Sequence, residues 1–395
     1  MAKAHRCLNC IMPPHIMDKL LDHKDEQVRD AALSTLINTA RLRGERSVRS
    51  LMGSVSAPAG GRRTIFDCAK SVSLTSAKVV RSEDTGESAD ASANRAFEGL
   101  GATADFFRAV FNRQSIDDKG MRLDGYVHRG NNYNNAFWNG RAMVFGDGDG
   151  VLFTDFTASV DVIAHELTHG VTEFTAGFEY HKQAGALNES MSDVVGSLVK
   201  QYTKRQSAAN ADWLIGADIF TPKIAADALR SLKAPGTAYD NKDMGRDPQP
   251  DHMSKYVVLP DNEDKDWGGV HINSGIPNHA FFLTATGVGG NAWEAPGHVW
   301  YETLKASSPR SDFQQFADTT YLKAGQLYGT GSTVQKALVA AWEQVGVPLT
   351  SSILAGADTP GGPPVGSGKE LTAQLAELNK KIDRLTKDVA ALKKR

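Results

Sequence analysis

The sequence predicts an α+β protein with two lobes, a β-rich lobe followed by an α-helical one. Between about 62 and 160 the chain favours short strands separated by turns, and the Asn139-Gly140 hairpin signal lies between the apolar runs 136–138 and 142–145. From 160 to 350 amphipathic helical patterns dominate. The clearest of these patterns cover 160–176, 188–204 and 312–346. Strands grouped before helices are typical of the α+β class.

Composition and charge exclude several classes of protein. A chain of 395 residues with 41% apolar residues is long enough for two or three packed units. Its 44 basic and 46 acidic residues leave a formal charge of -2, so we expect neither nucleic acid nor a membrane as a partner. No segment approaches the roughly 18 apolar residues of a membrane span, and the start lacks the apolar run of a secretory signal. We therefore expect a protein that is cytoplasmic at synthesis, and release by a route without a signal peptide stays open.

The first 55 residues are predicted to form a helical leader. The Pro13-Pro14 pair is followed at 25–43 by a stretch with the helical period. Its apolar positions are Val28, Ala31, Ala32, Leu36 and Ile37. A Gly-, Ser- and Ala-rich segment without periodicity follows at 49–61, and proteolytic nicking occurs in exposed linkers of this kind.

The end of the chain carries a heptad pattern. One seam position holds Leu371, Leu378, Leu385 and Leu392, and its partner position holds Leu375, Ile382 and Val389. This choice of residues favours a two-stranded parallel coiled coil, so we expect a homo-oligomer. Because the segment is short, the alternative is that it frays or packs on its own lobe. The predicted organisation is a leader at 1–55, a β-rich lobe at 56–178, a helical lobe at 179–355, a linker at 356–368 and a coiled coil at 369–395.

A metal site is predicted in the run His165-Glu166-Leu167-Thr168-His169. Two histidines four residues apart lie one helical turn apart on one face, where they can share a zinc ion. Glu166 lies beside that face and can reach an attacking water as a general base without being a ligand. Glu189, on a later helix, supplies the third protein ligand that a catalytic zinc requires. Asp193, four residues further on, can accept the free ring N–H of a ligand histidine. The alternatives are a metal-free helix and, for the two acids, a solvated helix face.

Four segments together resemble the thermolysin-like neutral zinc metallopeptidases. They are Tyr133–Gly140, Gly146–Gly150, the His165–His169 run with Glu189 twenty residues after it, and Gly268–Gly275. The resemblance covers roughly 100–350, and it implies a two-lobed zincin fold with the active-site helix between the lobes. It also implies one catalytic Zn2+ and an endopeptidase acting on proteins or peptides.

The resemblance assigns further roles. His271 corresponds to the histidine that donates to the developing oxyanion, Asp266 to the acid that orients it, and Tyr180 to the tyrosine that assists. Arg230 corresponds to the arginine that binds a substrate carbonyl. The edge strand along which a peptide lies corresponds to Asn135, Ala136 and Trp138. Taken singly, each of these residues could instead be an ordinary packed side chain.

An apolar substrate pocket is implied in the same way. Its residues are Phe153, Phe156, Val162, Ile215 and Leu229. Such a pocket implies cleavage on the amino side of Leu, Phe, Ile, Val or Met. Phe156 stands where a smaller aliphatic residue is usual, so the preferred size stays open.

Departures from the family pattern concern calcium. Of the acids expected in the double calcium site, Asp161 and Asp212 are present. Lys200, Leu214 and Ala217 occupy positions where acids are expected. Since calcium takes six to eight oxygen ligands, we expect this site to be lost and leave other Ca2+ binding open. The Asp147-Gly148-Asp149 turn lacks a closing Glu at Ala158, which favours a structural turn.

The leader resembles the short propeptide of the protealysin-type subgroup through Cys10-Ile11-Met12-Pro13-Pro14-His15. This implies a proenzyme inhibited by its own propeptide. Pro13-Pro14 is predicted to be an extended segment that occupies the peptide groove. Cys10 could place a thiolate on the zinc, or it could pack as a small apolar residue. Self-cleavage is expected at 50–57, before Leu51, Met52 or Val55.

Three other interpretations compete with this function. A three-histidine peptidase branch would require a histidine where Thr175 stands. An inactive protease-fold scaffold or adhesion module, oligomerised by its coiled coil, would have no need of Glu166. A redox or zinc pair at Cys7 and Cys10 lacks both a βαβ context and a second cysteine pair.

Overall fold

The computed structural model describes residues 9–51 and 62–357. The chain divides into two compact units, Met1–Leu349 and Thr350–Arg395. The first unit contains the leader and both predicted lobes. The predicted coiled coil at 369–395, most of the linker before it and Cys7 lie outside the described residues. Among the described helices, none is long and apolar enough to cross a bilayer.

The leader consists of one short strand and two helices. These are β1 (Asn9–Cys10), α1 (Pro14–Leu21) and α2 (Glu26–Leu51). Pro14 lies in the first turn of α1, where its missing N–H removes no helical hydrogen bond. Pro13 is extended, with φ −66° and ψ 143°. The prediction that the proline pair is the extended groove segment was therefore wrong for Pro14, which begins a helix, and the backbone that pairs with β5 belongs to residues 9–12.

The predicted leader helix is confirmed, but its buried face differs from the expected one. Val28 and Ala32 are buried, whereas Ile37 is 61% exposed. Two threonines continue the buried face instead. Thr35 Oγ1 accepts from Asn134 N at 2.9 Å, and Thr39 Oγ1 lies 3.0 Å from the Tyr133 hydroxyl. Hydrogen bonding as well as apolar burial therefore holds α2 against the next lobe.

The β-rich lobe is built on a mixed sheet. Its own strands are β2 (Arg63–Asp67), β3 (Lys78–Ser82), β4 (Leu123–Val127), β5 (Ala136–Trp138) and β6 (Met143–Phe145). The order across the six-stranded sheet is β1-β5-β6-β4-β2-β3. β5 and β6 are antiparallel, which confirms the hairpin predicted at Asn139-Gly140. The leader strand β1 covers β5, which would otherwise be the edge of the sheet.

A long helix, α3 (Ala91–Phe111), interrupts the region predicted to contain only short strands. Asp90 caps its start by accepting from Ser92 N at 2.8 Å and Ala93 N at 3.3 Å. Asn112 closes the helix in the left-handed conformation. The expectation of strands was wrong here because an N-cap and a run rich in alanine, which has the highest helix propensity, stabilise a helix.

His128, just after β4, ties the capping residue of α3 to the loop after β6. Its Nε2 lies 2.7 Å from Asp90 Oδ2 and its Nδ1 lies 2.7 Å from Asp147 Oδ1. The hydrogen bond to Asp147, joined by that to Asp90, outweighs burial and raises the pKa of His128 from 6.5 to about 9. The imidazolium therefore bridges two carboxylates.

The charge of His128 is expected to make the stability of the chain depend on pH. Because its folded pKa is raised, its contribution is fully present below pH 6.5 and is lost as the pH rises through about 9. His128→Gln should lower the free energy of unfolding by about 1–3 kcal/mol at pH 6 and by less at pH 10. Denaturant titrations in a Glu166→Ala background, which prevents self-digestion, measure both. An equal loss at the two pH values would contradict the assignment.

After β6 the first unit contains its remaining α-helices and strands. They are α4 (Val160–Glu173), α5 (Lys182–Lys204), β7 (Leu214–Ile215), β8 (Arg230–Ser231), β9 (Asp240–Asn241), β10 (Gly245–Arg246), α6 (Asp266–Asn273), α7 (Gly275–Val288), α8 (Ala295–Ala306), α9 (Phe313–Tyr328) and α10 (Thr333–Gln344). The helix predicted around 160–176 is confirmed, and that predicted at 188–204 begins earlier. The pattern at 312–346 is two helices. Helix α11 (Ser351–Ala357) belongs to the second unit.

Candidate active site

Helices α4 and α5 approach closely and carry the predicted metal ligands. A Cβ on Gly196 would lie 2.7 Å from Asp161 O, so this close approach requires glycine. His165 and His169 project from α4, and their Nε2 atoms are 3.0 Å apart. Both side chains are fully buried, as is that of Glu189 on α5. The helical spacing predicted from the sequence thus brings two imidazoles together.

The ring nitrogens of both histidines are oriented by acceptors. His165 Nδ1 lies 2.8 Å from Asp193 Oδ1, and His169 Nδ1 lies 2.8 Å from Asn188 Oδ1. If each Nδ1 carries the proton, the Nε2 lone pairs face one another. The Glu189 carboxylate lies 3.5 Å from both Nε2 atoms. Acceptor atoms therefore converge on one point, which is an arrangement that a cation stabilises.

The chemistry of this donor set fits zinc. In the described part of the chain, His165, Glu166 and His169 form a group whose ligand atoms could hold a metal ion. Glu166 Oε2 is already hydrogen-bonded by Trp138 N at 3.0 Å. Glu189 Oε2 is buried without a hydrogen-bond partner among the described residues. Two imidazoles and one carboxylate are a ligand set typical of catalytic zinc.

Burial and neighbouring charge control the protonation of these groups. Burial raises the pKa of Glu166 to about 8 and lowers that of His169 to about 3, so His169 is neutral, as a metal ligand must be. Burial also acts downwards on His165, but the hydrogen bond to Asp193 and the nearby Glu189 carboxylate outweigh it and raise its pKa to about 9. A bound cation would oppose a second proton on the His165 ring, which would then be neutral and donate from Nδ1 to Asp193.

Asp193 is held by more partners than the sequence indicated. Arg230 donates from Nε to Oδ2 and from Nη2 to Oδ1, each at 2.8 Å. Asn278 Nδ2 donates to Oδ2 at 2.9 Å. Sequence reasoning missed Asn278, whose only signal was an amide in an apolar helix. Arg230 was predicted to bind substrate, and the structure also makes it the partner of Asp193.

A backbone bend brings Asp266 and His271 together. Trp267, Gly268 and Gly269 have φ values of 50°, 87° and 80°, so α6 starts with a left-handed turn. Asp266 Oδ1 consequently lies 2.5 Å from His271 Nδ1, and Oδ2 accepts from His271 N at 2.8 Å. The two glycines supply positive φ without the penalty that a Cβ would bring.

Tyr180 and His271 meet on the opposite side of Glu189. The Tyr180 hydroxyl donates to Glu189 Oε1 and lies 3.3 Å from His271 Nε2. His271 Nε2 lies 3.6 Å from Glu189 Oε2. Two donors predicted to act together are thus brought to the ligand cluster.

The leader passes through this site. His271 Nε2 lies 3.0 Å from Cys10 O, and Arg230 Nη1 donates to Ile11 O at 3.0 Å. Ile11 N donates to Ala136 O at 3.3 Å, and Met12 N donates to Asn135 Oδ1 at 3.3 Å. Residues predicted to bind substrate therefore bind the backbone of the leader.

The sulfur of Cys10 packs among apolar side chains. Cys10 belongs to a buried cluster with Leu42, Tyr133, Phe137 and Val144. Its Sγ lies 3.8 Å from Met12 O, and Cys10 is not in the group that could hold a metal. These contacts favour the packing alternative over zinc ligation, and it is the carbonyl oxygen of Cys10 that faces the site.

The predicted pocket residues are all buried. They are Phe153, Phe156, Val162, Ile215 and Leu229. Ile215 pairs with Arg230 between β7 and β8, and Leu229 N donates to Ile215 O at 2.9 Å. The arginine that binds Ile11 O is therefore paired with the pocket residue Ile215.

A lysine ammonium occupies the place predicted to have lost calcium. Lys200 Nζ lies 2.9 Å from Asp161 Oδ2 and 2.8 Å from Asp212 Oδ1. It also donates to Leu214 O at 2.5 Å. Burial opposes its charge, but the two carboxylates outweigh burial and raise the pKa of Lys200. A protein cation therefore neutralises these acids.

The Asp147-Gly148-Asp149 turn is satisfied internally. Asp149 Oδ1 accepts from the backbone N–H groups of Val151, Leu152 and Phe153 at 2.7–3.0 Å. Asn134 Nδ2 donates to Asp149 Oδ2 at 2.9 Å. These bonds agree with a structural turn.

The fold and the site define a class of protein. A buried helix pair presents two oriented imidazoles and two acids, and a peptide backbone lies across them between an edge strand and an arginine. This is the site of a metal-dependent hydrolase that acts on polypeptides.

Comparison with known proteins gives the family. Residues 48–173 match the family model described as thermolysin metallopeptidase, catalytic domain, and 176–347 match its alpha-helical domain. The chain belongs to the thermolysin metallopeptidase family, and it is a zinc metalloendopeptidase made as a proenzyme. The alternative of an inactive scaffold or adhesion module is not favoured.

Individual relatives agree with this assignment. The chain is 44% identical over 347 residues to an extracellular metalloprotease of Pectobacterium carotovorum subsp. carotovorum, covering 87% of this chain and 98% of the relative. It is 42% identical over 267 residues to a thermolysin of Alicyclobacillus acidocaldarius subsp. acidocaldarius, of which it spans 46%. A solved precursor of protealysin from Serratia proteamaculans superposes with a TM-score of 0.77 and 45% identity, covering 86% of this chain and 99% of that one.

Proposed function

We propose that the enzyme cleaves peptide bonds on the amino side of hydrophobic residues, with zinc held by His165, His169 and Glu189. The observation that supports this most is the leader, whose backbone is bound by Asn135, Ala136, Arg230 and His271 and whose Ile11 side chain is buried. Mapping the cleavage sites in digested casein tests it. We expect Leu, Phe, Ile, Val or Met after most cut bonds, and loss of digestion with a zinc chelator.

The catalytic chemistry centres on Glu166. A bound zinc ion supplies a Lewis acid for the substrate carbonyl and the attacking water. Trp138 N–H holds Glu166 Oε2, while Oε1 has no hydrogen-bond partner in the described part of the chain. Oε1 can therefore take the proton of the water and return it to the leaving amine. A pKa raised by burial to about 8 suits a group that must do both.

His271 and Tyr180 are the donors that we propose for the oxyanion. The bond to Asp266 fixes His271 with Nε2 towards the substrate carbonyl, where the leader places Cys10 O. Asp193 plays the corresponding positioning role for His165.

His271→Ala should lower kcat about 10²–10³-fold with little change in KM, because the donor acts on charge that develops only in the transition state. Steady-state kinetics after removal of the leader measure both constants. His298→Ala, which changes a half-buried histidine on α8, is the control and should leave both unchanged. A raised KM with unchanged kcat would show that His271 does not stabilise the oxyanion.

The leader is proposed to inhibit by filling the cleft and to be removed by self-cleavage. Helix α2 continues through Leu51. A peptide bond inside a helix does not have the extended conformation that pairing with β5 requires. This argues against the predicted cut before Leu51, while the predicted cuts before Met52 and Val55 lie outside the described residues. The same leader contacts keep the proenzyme inactive inside the cell that synthesises it.

Calcium is proposed to be unnecessary at the predicted double site, because Lys200 neutralises Asp161 and Asp212. The tail at 369–395 is proposed to form a coiled-coil homo-oligomer, and sedimentation of the full chain against a 1–355 truncation tests it. Equal monomer masses would exclude the oligomer. Synthesis in the cytoplasm followed by release is proposed, since a 44% identical relative is described as extracellular.

A further inference from the structure

The leader lies in the cleft with one particular peptide bond at the reacting groups. Strand β1 pairs antiparallel with β5, with Asn9 opposite Trp138 and Cys10 opposite Phe137. The next polar groups continue this pairing, since Ile11 N donates to Ala136 O and Met12 N to Asn135 Oδ1. Every hydrogen-bonding backbone group from Cys10 O to Met12 N is therefore held.

Two carbonyls of the leader define the register. Cys10 O lies 3.0 Å from His271 Nε2, which lies 3.6 Å from Glu189 Oε2. Ile11 O accepts from Arg230 Nη1 at 3.0 Å. The carbonyl of the bond between Cys10 and Ile11 thus faces the proposed oxyanion donor, and the following carbonyl faces the arginine.

The proposed base is bound by the strand that pairs with the leader. Trp138, the partner of Asn9 in the β1–β5 ladder, donates its N–H to Glu166 Oε2 at 3.0 Å. Ile11 is fully buried, and its chemistry matches the hydrophobic preference proposed for the residue after the cut bond. The carbonyl at the proposed oxyanion donor, the apolar side chain and the carbonyl at Arg230 thus follow one another along the leader in the order proposed for a substrate.

We propose that the peptide bond between Cys10 and Ile11 is a self-cleavage site, cut in cis while the leader is seated. This rests on the proposed function. One water molecule is consumed as the C–N bond breaks. Its oxygen becomes part of the Cys10 carboxylate, and its protons pass by way of Glu166 to the Ile11 amine or to solvent.

The rest of the leader would stay in place after this cut. His15 Nε2 lies 2.8 Å from the Tyr239 hydroxyl and His23 Nε2 lies 2.9 Å from Asp243 Oδ1. Gln27 Nε2 donates to Asp149 O at 2.8 Å. Residues 11–51 therefore still block the cleft, and the cut precedes activation without causing it.

Intact-mass and N-terminal analysis of the full chain with zinc follow the reaction. We expect a form that begins at Ile11 to appear before any product of the predicted cleavage at 50–57, at a first-order rate that is independent of protein concentration. Ile11→Leu should retain this cut, and Ile11→Asp should slow it at least about tenfold, because a carboxylate would enter an apolar pocket. Glu166→Ala should abolish it.

Two further measurements distinguish failure of the proposed self-cleavage site from failure of the proposed function. Hydrogen exchange of full-length Glu166→Ala reports the seating of the leader without activity, and the amides of Ile11 and Met12 should be protected in it and exposed in an Ile11→Asp double variant. A reference peptide containing Phe tests the proposed function after long incubation of the wild type. Digestion of that peptide, with protected amides but no chain beginning at Ile11, would overturn the self-cleavage site alone. A concentration-dependent rate would overturn cleavage in cis, and failure to digest the peptide would remove the proposed function as well.

Discussion

Glu166→Ala is expected to lower the rate of peptide hydrolysis by about 10²–10⁴-fold or more while zinc stays bound, because a positioned general base contributes this much. Initial rates on a hydrophobic peptide, with zinc per chain measured on the same preparation, give both quantities. The two imidazoles and Glu189 are untouched by the change, and their orienting partners Asp193 and Asn188 remain. Normal digestion by the variant would refute the mechanism.

A matched control lies on the same helix. Glu173→Ala makes the identical change at the end of α4, at a partly exposed position, and should leave the rate within a small factor of the wild type. The melting temperature of Glu166→Ala should be unchanged or higher, since the substitution removes a carboxylate buried with one oxygen unpaired among the described residues. A large fall in melting temperature would show that Glu166 acts mainly in the fold.

Lys200→Met is expected to lower the free energy of unfolding by about 3–5 kcal/mol, because it leaves a buried carboxylate without its cation. Asp161 is 1% exposed and lies in the first turn of the active-site helix α4. Methionine keeps much of the volume of the lysine stem, so the loss reports the charge. Denaturant unfolding in the Glu166→Ala background measures it. Lys204→Met, at an exposed position in the last turn of α5, is the control and should cost little.

The reverse change tests whether the ammonium replaces a metal ion. Lys200→Glu places a third carboxylate beside Asp161, Asp212 and the Leu214 carbonyl, which are ligands that calcium prefers. Added calcium should then raise the melting temperature of the variant, while the wild type shows little response. A large loss of stability in the wild type on adding a calcium-selective chelator would mean that oxygen ligands elsewhere complete a calcium site.

Much of the site follows from local sequence spacing. His165 and His169 are four residues apart, and any α-helix places two such residues on the same face. The histidine pair could therefore be predicted without knowledge of the tertiary structure. The Asn139-Gly140 signal likewise predicted the β5–β6 hairpin, in which Trp138 pairs with Met143 and residues 139–142 form the turn. Local backbone geometry suffices in both cases.

Other features depend on contacts between distant segments. The buried face of α2 includes Thr35 and Thr39 because Asn134 and Tyr133 offer hydrogen bonds there, and apolar periodicity cannot register such partners. Asn278 joins Asp193 only because α7 packs against α5. The position of Cys10 was left open by the sequence, and the strand pairing with Phe137 turns its carbonyl rather than its sulfur to the site.

Residue identity at fixed spacing was enough to predict the histidine pair, the neighbouring Glu166, the family resemblance and the loss of acids from the calcium positions. The assembled fold was needed to show that Lys200 bridges two acids and that Cys10 and Ile11 present their peptide bond to the site. The contact between Asp266 and His271 is local in sequence but depends on a left-handed turn, whereas the other contacts join segments that are distant in the chain. Their geometry is set by packing and hydrogen bonding in the assembled fold, which local periodicity does not encode.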